Sequence, residues 1–205
     1  MPVKVSTDAV SKKVGGLLLG ANIVKPEQYE AAMKEIEGTP DRVEDAIIGM
    51  GFANEADILK TLAAHYQTNF VSSERLSRAE IPRATLELVP RQVAETFGVF
   101  PVMFDAKNHV LSVVTADPGD GSLLNEIRQV SGAKEVKAFL ARPAAVRAAI
   151  AKSYGGDIHA FAMLDRAAQK QFHAMLDVYT RGTMSEASVA AALVREEGQS
   201  RSVTE

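Results

Sequence analysis

Apolar positions in the first third of the chain recur at steps of three and four. Val10, Val14, Leu17 and Leu18 mark one helical stripe. Tyr29, Ala32, Met33 and Ile36 mark a second, and Ile58, Leu59 and Leu62 another. Thr7 or Asp8 caps the first helix, and Pro26 fits the first turn of the second. Thr39-Pro40 repeats that start signal for a third, and Asn54 caps a fourth. The pattern therefore predicts four short helices over residues 7–66. They read as one helical pair written twice, 29 positions apart: Lys13 pairs with Arg42, Val14 with Val43, Leu18-Leu19 with Ile47-Ile48, Gly20 with Gly49 and Met33 with Leu62. Such a repeat predicts two helical hairpins around one small core.

The pattern changes at residue 67. "NFVSSERLSRAEIP" is polar and punctuated, and predicts a surface connection with at most one short strand. Residues 86–96 predict a helix. "VFPVMF" and "HVLSVVTA" are β-rich runs on either side of the turn signal "DAKN", which predicts a hairpin. Asp117 or Ser122 starts a helix that Gly132 ends, "EVKAFLA" is a third strand, and Pro143 opens a helix ending before Gly155-Gly156. The order α-β-β-α-β-α describes a small sheet covered by helices. Phe161, Leu164, Ala168, Phe172, Met175 and Tyr179 then form one further stripe, and a shorter helix runs from Ser185 to Glu196. The stripe either folds back as a cover or docks on a partner helix or a second copy. The fold class is α+β. The expected organisation is a helical repeat subdomain at 1–66, a connection at 67–85, an α+β subdomain at 86–156, a C-terminal helical extension at 157–196 and a disordered tail at 197–205.

Composition narrows the chemistry. The chain has 205 residues, a net charge of −3 and no cysteine, which removes disulfides, thiol nucleophiles and thiolate metal sites. Nothing in that balance favours nucleic acid. No signal peptide opens the sequence, and no apolar run reaches the roughly 18 residues of a membrane span, so a cytoplasmic location is expected. His65, His109, His159 and His173 show no ligand spacing, and no metal site is expected. "TADPGD" reads as a proline turn with an aspartate cap. From Glu126 to Lys152 six basic side chains stand against two acids, a solvated face or a contact for an acidic partner.

"KVGGLLLGANIVKPEQYEAAM", residues 13–33, invites a reading as a phosphate-binding loop. Phosphate loops of nucleotide hydrolases need Gly-Lys followed by Ser or Thr, and this chain has no Gly-Lys pair. Gly15 and Gly16 fall instead inside the first predicted helix, where each costs about 1 kcal/mol against alanine. Either the second helix packs closely on the first there, or a ligand lies on the helix at Gly15.

The stretch resembles the N-terminal domain of the assembly ATPases of type II secretion and type IV pili. Their doubled motif, roughly R-L-G-x-x-L-V-x-x-G-x-[IL]-[ST]-x-x-Q-L-x-x-A-L-x-x-Q, binds cyclic di-GMP in some members. "HYQTNFVSSERL", "LELVPRQVAETFGVFPV" and "LSVVTADPGDGSLLNEIRQVSG" are similar to further segments of that domain, so the resemblance runs from about Lys13 to Tyr154. It implies candidate ligand positions at Lys13, Val14, Gly15, Met33, Arg42, Val43, Leu62 and His65. The chain departs from the motif at several of its positions. Lys13 lacks the bidentate fork of arginine. Asn22 stands for glycine, Ile36 and His65 stand for the terminal glutamines, and Glu44-Asp45 follow Arg42 where glycine and a neutral residue belong. Residues 1–70 hold seven basic and ten acidic side chains, an unfavourable field for a dianion. No Walker motif follows, so the expectation is a regulatory domain standing alone, without catalytic residues or a resident cofactor. Such a module would bind a protein of a pilus, secretion or polarity system, or a second copy of itself. The alternatives are a cyclic di-GMP receptor, in which that ligand is the one small molecule implied, and an enzyme of unassigned chemistry.

Overall fold

The computed structural model describes residues 7–165. Four helices come first: α1 (Thr7–Gly20), α2 (Pro26–Glu35), α3 (Val43–Gly49) and α4 (Glu55–Tyr66). They enclose one apolar core in which Val14, Leu18, Val43, Ile47, Ile58 and Leu62 are fully or almost fully buried. The 29-residue offset is visible in this packing. Val14 and Val43 hold equivalent positions on α1 and α3, as do Leu18 and Ile47, and Met33 and Leu62 line the same core. Local chemistry sets most ends. The Gln28 side chain accepts from the Lys25 N–H before α2, and Asn54 accepts from the Asp57 N–H at the start of α4.

The start of α3 differs from the sequence expectation. Thr39-Pro40 lies outside the helix, which begins after Arg42. The Val43 N–H instead meets the Oγ of buried Ser11 on α1, 3.4 Å away, so a tertiary contact serves as the cap.

The polar stretch after α4 is also more ordered than its composition suggests. It holds two short helices, α5 (Ser73–Arg78) and α6 (Arg83–Leu86). Leu76 anchors α5 in the second apolar core, and Ser72 caps it. The helix expected over residues 86–96 is α7 (Arg91–Phe97), which starts after Pro90.

Strands β1 (Val99–Asp105) and β2 (Val110–Thr115) form the expected antiparallel hairpin, with a bulge between Pro101 and Met103. At its turn Asp105 Oδ1 accepts from the Lys107 and Asn108 N–H groups. Helix α8 (Gly121–Ser131) follows, capped by Asp120 rather than Asp117 or Ser122, and Gly132 closes it at φ +66°. Strand β3 (Glu135–Leu140) returns parallel to β2, giving the order β1-β2-β3, and α9 (Pro143–Gly155) packs on the sheet. The second core gathers Val99, Phe100, Leu111, Val113, Ile127, Val146 and Ile150. The fold is α+β, with a 3₁₀ turn at Ala162–Asp165 after α9. The apolar stripe beyond Leu164 and the Ser185–Glu196 helix lie outside the described residues.

Candidate functional site

Gly15 is buried in α1, and a Cβ there would lie 2.0 Å from Cε2 of Tyr29. The Tyr29 ring of α2 presses its Cε2 edge against the glycine. Gly16, one residue on, is exposed and has nothing within reach of a Cβ. The close-packing explanation of Gly15 thus has a named partner, and that partner covers the surface a ligand would need.

Val14, Val43 and Leu62 are core residues, buried beyond contact with solvent, and Met33 packs against the same core. Lys13 and His65 instead meet around Tyr66. The Lys13 Nζ lies 5.5 Å from the Tyr66 ring centroid, a cation–π contact, and the His65 ring stands edge-on to the same tyrosine. Gly119 reaches the other part of this cluster, since a Cβ there would lie 3.1 Å from the Tyr66 ring.

Arg42 is the motif arginine that the chain keeps, and both edges of its guanidinium are occupied. Nε and Nη2 donate to the two carboxylate oxygens of Glu44 at 3.4 and 2.7 Å. Nη1 donates to Asp117 Oδ2 at 2.5 Å. Burial works against the arginine's charge, but Glu44 and Asp117 outweigh it and hold Arg42 above its ordinary value. Burial also pushes the Glu44 carboxyl up, with Arg42 pulling the other way. Burial, reinforced by Asp117, raises the Tyr66 phenol. Glu44 does not point outward to repel an incoming phosphate. It turns in and takes the arginine for itself.

Asp45, next along α3, reaches α9. Its Oδ1 accepts from Arg142 Nε at 2.7 Å and from the Ala144 N–H at 3.3 Å, and its Oδ2 accepts from Arg147 at 3.3 Å. Arg147 also donates to Asp41 at 2.8 Å. Arg42, Glu44, Asp45 and Arg142 are each more than nine-tenths buried. Asp117, Tyr66, Tyr29, Arg142 and Arg147 have no mark in the motif. Their signal is spatial, since the ionic partners lie 75 to 106 positions apart along the chain.

Among the described residues no group of His, Cys, Asp or Glu is arranged to hold a metal, and no helix is long and apolar enough to cross a membrane. An open groove of about 410 Å³ crosses the Val110 end of the sheet, lined by Met103, Asp105, Ser112, Glu135 and Lys137. It lies at the other end of β2 from Asp117.

Residues 66–160 match the family model of the MshEN domain. Over 143 residues, 70% of its length, the chain is 25% identical to the type IV pilus assembly ATPase PilB of Thermus thermophilus. Over 145 residues, 71% of its length, it is 24% identical to PilB of Myxococcus xanthus. It spans only 16% and 25% of the lengths of these two relatives. A solved structure of MshE with cdg shares the fold at a TM-score of 0.50 and 22% identity, covering 69% of this chain and 98% of that one. The resemblance drawn from the sequence is borne out. The family model covers the sheet half, whereas all the candidate ligand positions precede it.

Proposed function

We propose that the protein is a non-enzymatic regulatory or adaptor module that acts by protein–protein contact in a type IV pilus or type II secretion setting, within the cytoplasm. The carrying observation is that Arg42 is held internally by Glu44 and Asp117. A phosphate could reach it only by displacing two carboxylates that already satisfy a buried charge. The second half of the ligand motif is therefore built here as a structural joint, and Tyr29 fills the glycine surface of the first half. The MshEN match and the pilus relatives support the setting.

A second reading, a cyclic di-GMP receptor, draws support from MshE, whose structure with cdg shares this fold. Lys13 keeps a cation at the motif's first position, next to Tyr66. The first reading is the stronger one on charge and packing.

Crosslinking of the full chain in its native cells, followed by mass spectrometry, tests the proposal. Crosslinks to components of a pilus or secretion machine are expected. Crosslinks confined to unrelated proteins would remove the setting. Purified protein should show no ATP or GTP turnover above a buffer blank, and turnover abolished by a point substitution would remove the non-enzymatic reading.

A further inference from the structure

The two apolar cores are distinct, one among α1–α4 and one between the sheet and α5–α9. They come together along two lines of different chemistry. On one line the chain crosses between them. Gln67 closes α4 in the left-handed region at φ +51°, the Thr68 hydroxyl donates to the Ala138 carbonyl, and residues 69–71 bond to Leu140 of β3. Leu140 is also the sheet residue buried in the helical core. On the other line the contacts are chiefly ionic: Arg42 to Asp117 in the β2–α8 loop, and Asp45 with Asp41 to Arg142 and Arg147 at the start of α9. Tyr66 packs on Gly119 beside Asp117, and Glu55 on α4 accepts from the Ser73 N–H near the crossing.

We propose that this is a hinge and a latch: the helical half turns about residues 67–71 and is held shut by the Arg42–Asp117 and Asp45–Arg142–Arg147 bonds of α3. Apolar side chains of similar volume would hold such a seam as firmly and would not release. Ionic groups are satisfied either by each other or by water, so the seam has two stable states while both cores stay intact. The hinge is the covalent crossing, fixed by strand-like bonds, and it survives opening. This assignment is independent of which partner the module takes.

The chain has no native cysteine, so labels can be placed without background. Spin labels at Lys60→Cys on α4 and Arg128→Cys on α8, both exposed, report the separation of the halves in the full chain. One distance is expected with the latch intact, and a second, longer population in Asp117→Asn and in Asp45→Asn. Hydrogen exchange should quicken at least about tenfold at 41–49 and 142–147, while 58–63 and 111–115 keep their protection. Arg147→Gln removes only the half-exposed bonds, so it should keep the fold and give a smaller shift in the same direction. If the buried variants fail to fold, this variant alone decides. Equal acceleration of both cores, or a single unchanged distance in every folded variant, would overturn the latch.

Discussion

Gly15 and Gly16 are neighbours in one helix with opposite reasons for being glycine. At Gly15 a methyl would collide with the Tyr29 ring, so Gly15→Ala should cost about 1–3 kcal/mol through displaced packing. At Gly16 the space is open, and Gly16→Ala should stabilise by up to about 1 kcal/mol through helix propensity. Urea denaturation of the two variants measures both, and the same sign for both would refute the packing explanation. Glu44 gives a pH signature. Its folded pKa is raised above the ordinary 4.5, so its contribution is complete below that value and is lost as pH rises through the folded one. Glu44→Gln mimics the protonated form. The melting temperature of this variant relative to the parent should therefore climb as pH rises above 4.5, and a gap that falls instead would mean that the ion pair outweighs burial. Tyr154, pushed up to about 12 by burial, donates to the carbonyls of Leu86 and Val89. Tyr154→Phe should lose about 1 kcal/mol near neutral pH. Its difference from the parent should shrink as pH rises from about 10 towards 12, which thermal melts at the two ends would show.

At the scale of elements, α3 is the joint of the molecule. It has only seven residues, and its first turn carries the buried carboxylates Glu44 and Asp45. Arg42→Met leaves Glu44 buried without its cation and should cost about 3–5 kcal/mol, while the double variant with Glu44→Met should recover much of that loss. A cycle with no coupling would show that the pair contributes nothing. The long periodic helices, the hairpin and the glycine stop at Gly132 were legible in the sequence because their signals are local. The start of α3 was not, since Ser11, 32 residues earlier, supplies its cap while Thr39-Pro40 imitates one. Helices α5 and α6 escaped because one buried anchor such as Leu76 makes no period. The candidate ligand positions were visible as a motif. Their surroundings were not, since Asp117 and Tyr29 reach them through the fold.

At the scale of the whole molecule, a fold shared with the structure of MshE carries a candidate site whose arginine is already bound from within. Calorimetry of cyclic di-GMP against the full chain at physiological salt tests that claim most directly. The account predicts no binding tighter than about 10 µM, equivalent to roughly −7 kcal/mol. Submicromolar binding that disappears in Arg42→Ala would contradict it.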